Sequence, residues 1–121
     1  MGEYYDAAGN FIGVRREFIT VDKCAAGQIV QYHGAEAQKS KAVEELLELS
    51  EVLIKDINKH ELNKDALYEE LADVEVMLEQ LMLIYDIDLE GLQQEVNRKI
   101  SRTFDRMTLV PDCGWRQEKW I

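Results

Sequence analysis

Beyond residue 20, apolar side chains recur every three or four positions, which is the spacing of an amphipathic α-helix. This pattern predicts helices over residues 21–32, 35–58, 64–85 and 89–107. Asn63 and Asp88 directly precede the last two helices and are typical N-cap residues, and His33-Gly34 is a typical helix end. Because the connections are short, consecutive helices should be antiparallel neighbours, so we expect an all-α antiparallel helical bundle.

The first twenty residues depart from the helical pattern. Turn-forming residues at positions 6–10 separate two stretches that suit short extended pieces or an irregular arm. A chain of 121 residues is typical of one domain. We therefore predict an N-terminal arm over residues 1–20 and one all-α domain over residues 21–121.

The charge balance narrows the range of partners. The chain has 24 acidic and 14 basic residues, a formal net charge of −10, and such a chain repels nucleic-acid phosphates. Residues 1–10 lack an apolar signal core and no apolar run is long enough to span a bilayer. Cys24 and Cys113 lie far apart in the chain, which favours two reduced thiols. We expect a cytoplasmic protein that binds neither nucleic acid nor membrane.

The second predicted helix carries two acidic residues close to its apolar face. That face is formed by Ala42, Val43, Leu46, Leu47, Leu49, Leu53, Ile54 and Ile57. Glu44, Glu51 and Lys55 project to the opposite side, as ordinary solvated residues do. Glu45 projects at the border of the apolar face, and Glu48 lies close beside it, one turn along.

The third predicted helix places an acid inside its apolar stripe. The stripe consists of Leu67, Leu71, Val74, Met77, Leu78, Leu81, Met82 and Tyr85. Glu70 falls within it, Asp73 lies beside Glu70 at the i+3 position, and Glu69 points outward. A carboxylate that faces a core is costly unless something neutralises it.

Two such pairs on antiparallel neighbours would place four carboxylates, those of Glu45, Glu48, Glu70 and Asp73, around one small volume. Like charges that close either raise one another's pKa or require a cation. An all-oxygen cluster suits Mg²⁺ or Mn²⁺ better than zinc or copper. The alternative is a salt-bridged bundle, in which Glu70 meets a Lys or Arg.

Two acidic motifs carry a family resemblance: EELLE at residues 44–48 and, 21 residues later, ELAD at residues 70–73. Their arrangement resembles the EExxE…ExxD signature of the MazG-like all-α nucleotide pyrophosphohydrolases, a superfamily that includes dimeric dUTPases and phosphoribosyl-ATP pyrophosphohydrolases. Residues 38–49 resemble the first core helix of that family, and residues 97–106 resemble its later basic stretch. The resemblance covers roughly residues 28–107.

The resemblance implies a Mg²⁺-dependent enzyme that cleaves a nucleoside triphosphate between the α and β phosphates and assembles as a homodimer or homotetramer. The products would be the nucleoside monophosphate and pyrophosphate. The metal ligands would be Glu45, Glu48, Glu70 and Asp73. Either Glu45 or Glu48 would also activate the attacking water, and the two remain open. Glu44 matches the first acid of the motif, but its projection points outward.

Basic residues on the last helix are candidate phosphate ligands. Lys99, Arg102 and Arg106 follow one another at i+3 and i+4 spacing, so they share one helix face and suit a departing pyrophosphate. The alternative is a solvated basic face that pairs with Glu95 or Asp105.

Two residues upstream of the first acidic motif, Gln38 and Lys41, lie on the same helix and are further candidates for substrate binding. A different class of function also fits the pattern. The chain would then be a non-catalytic helical oligomerisation or adaptor module whose acids are salt-bridged.

Overall fold

Four α-helices dominate the computed structural model, which describes residues 3–5, 8, 11–14 and 19–111. The helices are α1 (Lys23–His33), α2 (Ala35–Lys59), α3 (Lys64–Ile84) and α4 (Leu89–Met107). Every bound lies within two residues of the one that the sequence predicts, and the all-α expectation is confirmed. None of these helices is both long enough and apolar enough to cross a membrane.

Local hydrogen bonds explain where the helices begin and end. The side chains of Asp22, Asn63 and Asp88 accept hydrogen bonds from backbone N–H groups of the first turns that follow, at 2.8, 3.1 and 3.2 Å. Gly34 separates α1 from α2 with a φ of 90°, a conformation that favours glycine. α2 ends at Lys59, and the next residue, His60, is its C-cap and adopts the left-handed conformation with a φ of 54°.

The N-terminal arm contains an antiparallel hairpin of two short strands, β1 (Glu3–Tyr5) and β2 (Phe11–Val14), whose register shifts between Tyr4 and Tyr5. Of the two alternatives predicted for this segment, short extended pieces or an irregular arm, the structure shows the extended pieces. The turn predicted at residues 6–10 falls largely outside the described residues. Cys24 is exposed and has a free thiol, while Cys113 is also outside the described part of the chain.

The chain divides into two units, of which Val21–Asp86 contains α1, α2 and α3. Within this unit α2 packs along α3, and α1 contacts both. The side chain of Gln38 meets that of Gln80, whereas Glu45 lies beside Asp73, so sequence numbers run in opposite directions on the two helices. α2 and α3 are therefore antiparallel, as their short connection predicts. The other unit comprises Met1–Thr20 and Ile87–Ile121 and contains the hairpin and α4.

A buried amide pair lies among the small core residues of the first unit. Ala26, Ala42 and Met77 are buried, and so are Gln38 and Gln80, the latter only 1 % exposed. The Nε2 atom of Gln38 donates to Oε1 of Gln80 at 2.8 Å, and Nε2 of Gln80 lies 3.7 Å from the sulfur of Met77. These contacts give the two buried amides partners, as buried polar groups require.

The apolar face predicted for α2 divides into two parts. Ala42 is buried and Leu49 is half-buried. Six other members of that face are exposed by 44 to 70 %: Val43, Leu46, Leu47, Leu53, Ile54 and Ile57. The predicted apolar residues lie on one broad side of α2, but only part of that side is buried, because helical spacing alone does not distinguish side chains that pack within the chain from side chains that face outward.

Candidate metal centre

Four acidic side chains from α2 and α3 converge on one small volume. Glu45, Glu48, Glu70 and Asp73 each offer a carboxylate oxygen, and these four oxygens all lie within 4.8 Å of one another. Spacing of i to i+3 puts each pair on one face of its helix, and the antiparallel packing sets the two faces opposite each other. The structure brings together the four acids that the sequence singles out.

The burial of these acids differs from the expectation. Glu45 is the most deeply placed, only 5 % exposed, whereas Glu70 is half-buried and the other two are exposed. The pattern of apolar residues had indicated the reverse order, with Glu70 inside a stripe and Glu45 at a border. The difference arises because the buried side of α2 follows Gln38, Ala42 and Glu45 and not the leucine and isoleucine positions.

Two carboxylate oxygens in the cluster are buried without a hydrogen-bond partner among the described residues, namely Oε2 of Glu45 and Oε2 of Glu70. A buried polar atom left unpaired costs about 1–3 kcal/mol, and charged atoms cost more. Proteins therefore rarely keep such atoms unless a ligand, an ion or water satisfies them. Because both atoms are anionic acceptors, the group that would satisfy them is a cation or a proton donor.

One lysine reaches the cluster from the preceding turn of α2. The Nζ atom of Lys41 lies 3.1 Å from Oε1 of Glu45 and 3.7 Å from Oε2 of Glu44. This contact lowers the pKa of Glu45 and raises that of Lys41, which keeps both groups ionised. No salt bridge to Glu70 or Asp73 is found among the described residues, so the salt-bridged alternative accounts for only one of the four acids.

The other three acids of the cluster have no salt-bridge partner within the described part of the chain. Burial raises the pKa of Glu70, and the negative charge of Glu48 raises it further. Partial removal of its carboxyl group from water raises the pKa of Asp73, and the neighbouring carboxylate of Glu45 raises it further. Both shifts favour protonation of these carboxyl groups or the binding of a cation beside them.

The spacing of the four oxygens fits a small divalent cation. Mg²⁺ takes six oxygens at about 2.0–2.1 Å, so oxygens on opposite sides of the ion lie about 4.2 Å apart. The observed limit of 4.8 Å is a few tenths of an ångström wider, a difference that side-chain rotation within α2 and α3 can close. An all-carboxylate donor set is typical of hard ions such as Mg²⁺ and Mn²⁺.

The candidate substrate residues on α2 have different surroundings. Lys41 is half-exposed and adjoins the acids through Glu45. Gln38 is buried, and its amide nitrogen already donates to Gln80. Seven residues separate Gln38 from Glu45, a distance of about 10 Å along the helix, so Gln38 contributes to helix packing instead of lining the cluster.

The candidate phosphate ligands occupy one side of α4. Lys99, Arg102 and Arg106 are exposed, and no ion pair joins them to another described residue. Glu95, a possible partner for this row, pairs with Arg98 instead. Helical projection separates the row from the buried side of α4 by about 150°.

Buried polar residues on α4 were not anticipated from the sequence. Asn97 is 3 % exposed and Ser101, one turn further, is also buried. Oδ1 of Asn97 accepts from Gln93 at 3.2 Å, while its Nδ2 atom has no partner among the described residues. The surrounding charged residues make this stretch look solvated, although spacing of i, i+4 and i+8 does put Gln93, Asn97 and Ser101 in one row.

Comparisons with protein-family models, with curated proteins and with solved structures found no match to this chain. What the chain does is therefore inferred from the geometry of the four acids and from the spacing of the motifs that carry them.

Proposed function

We propose that the protein is a Mg²⁺-dependent nucleotide pyrophosphohydrolase that cleaves a nucleoside triphosphate between its α and β phosphates. The observation that carries this proposal is the convergence of four carboxylates within 4.8 Å, with two of their oxygens buried and unpartnered. The two acidic motifs that supply these residues resemble those of the MazG-like pyrophosphohydrolases. In this proposal the enzyme is cytoplasmic and acts on free nucleotides.

A bound cation would allow this acidic site to accept an anionic substrate. Four carboxylates would repel a triphosphate. A bound Mg²⁺ or Mn²⁺ would reverse the local sign and would make a water molecule more acidic. Glu45, Glu48, Glu70 and Asp73 would hold the ion. Glu45 is suited to be the permanent anchor, because burial fixes its position and Lys41 keeps it ionised.

The hydrolytic step requires one carboxylate that can reach both water and substrate. Glu48 is exposed, whereas Glu45 is buried and tied to Lys41. We therefore assign to Glu48 the task of orienting the water and accepting its proton. Water oxygen bonds to the α-phosphorus, the bond from that phosphorus to the bridging oxygen breaks, and pyrophosphate leaves with the electron pair.

Cationic side chains complete the proposal. Lys41 adjoins the acids, is half-exposed and stays protonated, so it is suited to contact a phosphate oxygen. Phosphate binding by Lys99, Arg102 and Arg106 rests on the sequence resemblance and on the absence of ion pairs between them and other described residues.

The second candidate function is a non-catalytic helical adaptor with a salt-bridged acidic cluster. The contact between Lys41 and Glu45 at 3.1 Å favours it. That function leaves the unpartnered oxygen of Glu70 unexplained. The two functions differ in whether the full chain consumes nucleotides when Mg²⁺ is present.

The deciding experiment incubates the full chain with a panel of ribo- and deoxyribonucleoside triphosphates in Mg²⁺ and measures pyrophosphate and orthophosphate separately. We expect pyrophosphate and the monophosphate in equal amounts, and no activity in EDTA. Glu45→Gln and Glu48→Gln should lower activity at least about 100-fold, since even residues that only support metal ligands change activity about 10- to 100-fold.

The matched control is Glu51→Gln, which makes the same change on the exposed side of the same helix. It should retain full activity. Orthophosphate as the sole inorganic product would refute cleavage between the α and β phosphates. No product from any nucleotide would favour the adaptor.

A further inference from the structure

One positively charged side chain lies beside the acidic cluster. Lys41 precedes Glu45 by one helical turn, and its Nζ atom lies 3.1 Å from Oε1 of that residue. The hydrogen bond to Glu45 raises the pKa of Lys41, and the negative charge of Glu48 contributes to the same shift. The ammonium in turn opposes the rise that desolvation causes in the pKa of Asp73. Lys41 thus interacts with three of the four acids and supplies them with one positive charge.

A single ammonium group cannot neutralise four carboxylates. Lys41 contacts Oε1 of Glu45, while Oε2 of Glu45 and Oε2 of Glu70 are buried and have no hydrogen-bond partner among the described residues. One positive charge beside four negative charges leaves an excess of negative charge, which a divalent ion reduces more than a monovalent ion does. The cluster therefore favours a cation of higher charge than the one that its own lysine supplies.

The ammonium and a metal ion would compete for the same carboxylate. A divalent ion bound to Glu45 would lie close to Nζ of Lys41, well inside the distance of about 10 Å over which salt screens charges. The two cations would repel each other. The metal would therefore bind with full affinity only after Lys41 leaves Glu45.

Glu44 offers the ammonium a second position. Its Oε2 atom lies 3.7 Å from Nζ of Lys41, and the residue is not one of the four acids that converge. Glu44 precedes Glu45 by one residue, so it projects about 100° away around α2. Because the lysine stem is long and flexible, bond rotations within it can transfer the ammonium from Glu45 to Glu44 without any change in the helix.

We propose that Lys41 is a tethered counter-ion of the acidic cluster, which a divalent metal ion displaces from Glu45 to Glu44. A monovalent ion such as K⁺ would bring no more charge than the ammonium that it displaces, and the ammonium has the advantage of being attached to the helix. Lys41 therefore makes the cluster selective for divalent over monovalent cations. The inference rests on the proposed function only in taking the four acids as the metal site.

Metal titration of the full chain without nucleotide tests the proposal. The electron paramagnetic resonance signal of free Mn²⁺ gives the bound fraction at about pH 8, where protons compete little for carboxylates. Lys41→Met should bind Mn²⁺ at least about fivefold more tightly than the wild type, which is the lower end of typical coupling between two sites. Lys55→Met makes the same change about 15 Å along α2 from Glu45 and should leave the affinity unchanged.

A double-mutant cycle tests the second position of the ammonium. Glu44→Gln removes that position and should weaken Mn²⁺ binding several-fold when Lys41 is present, because the ammonium then stays on Glu45. In the Lys41→Met background the same substitution should have a much smaller effect, since no ammonium remains to be moved.

An exchange of salts at constant ionic strength tests the selectivity. Replacing about 0.15 M tetramethylammonium chloride with KCl should weaken Mn²⁺ binding to Lys41→Met, since the smaller K⁺ can enter the cluster once the ammonium is gone. The wild type should bind Mn²⁺ with nearly the same affinity in both salts.

Three results would overturn the proposal. Equal or weaker Mn²⁺ binding by Lys41→Met would show that the ammonium does not compete with the metal. An equal effect of Glu44→Gln in both backgrounds would show that Glu44 acts only through its own charge. Equal sensitivity of the two proteins to K⁺ would show that Lys41 does not set the selectivity.

The same titrations separate this proposal from the proposed function. If neither the wild type nor any variant binds Mn²⁺, both are wrong. If Mn²⁺ binding responds to Lys41 and Glu44 as expected but no nucleotide is hydrolysed, the enzymatic function alone is wrong.

Discussion

Replacing Glu70 with glutamine should stabilise the protein in the absence of Mg²⁺ and destabilise it relative to the wild type when Mg²⁺ is present. In EDTA we expect Glu70→Gln to melt at a higher temperature than the wild type, because the substitution removes one negative charge from beside Glu48, Asp73 and Glu45. In Mg²⁺ we expect the wild type to melt higher, because it keeps all four carboxylate ligands. The two proteins should therefore exchange rank as the metal is added.

The size of the metal effect follows from ligand linkage. Mg²⁺ at 100 times its dissociation constant stabilises the folded state by about 2.7 kcal/mol. An unfolding entropy of about 2.1 cal/mol/K per residue gives about 0.25 kcal/mol/K for 121 residues. The wild-type melting temperature should thus rise by about 10 °C, and a variant that binds tenfold more weakly should gain about half of that.

The assay is differential scanning fluorimetry across a Mg²⁺ titration, repeated in EDTA. Glu69→Gln is the matched control, because Glu69 precedes Glu70 on α3, is exposed and is not part of the cluster. It should follow the wild type in both conditions. If Mg²⁺ shifts Glu70→Gln as far as it shifts the wild type, Glu70 is not a ligand, and if neither protein shifts, the four acids bind no metal.

Three further predictions concern the pH dependence of Glu70, the buried amide pair and Arg102. In EDTA, the stability advantage of Glu70→Gln over the wild type should grow as the pH rises from about 4.5 towards 7. The raised pKa of Glu70 stabilises the folded wild type only while the carboxyl is protonated, and this stabilisation is lost once the carboxyl ionises. A pH-independent difference between the two proteins would contradict the assigned cause. Gln80→Leu should lower stability by about 1–3 kcal/mol in chemical denaturation, as it leaves the buried amide of Gln38 unpaired, and adding Gln38→Leu should recover part of the loss. Arg102→Ala should raise the KM for a triphosphate about 10- to 100-fold in steady-state kinetics, whereas Arg98→Ala should not, because that side chain is already paired on α4.

The helix boundaries were predictable because their signals are local. Asn63 and Asp88 are the N-caps of α3 and α4, and each directly precedes the first helical residue that the apolar pattern predicts. Gly34 separates α1 from α2. The meeting of the four acids was predictable too, since i, i+3 pairs on antiparallel neighbours have few other arrangements.

The depth of each acid was not predictable, because it depends on which side of α2 contacts its neighbours. Val43, Leu46 and Ile57 recur with helical spacing, but exposed apolar side chains can have the same period as side chains that pack inside the chain. The side of α2 that is actually buried carries Gln38 and Glu45, two residues that hydrophobicity assigns to the surface.

The buried amide pair of Gln38 and Gln80 makes the alignment of α2 against α3 discrete. A slip of one helical turn would move one amide past the other by about 5.4 Å, leave both unpaired, and separate Glu45 from Asp73 by the same step. Leucines at these two positions would tolerate several alignments, whereas a hydrogen bond of 2.8 Å tolerates one. Substitution of Gln80, which lies outside the acidic cluster, should consequently weaken metal binding. The size of that loss would measure how strongly the amide pair fixes the alignment of the four acids.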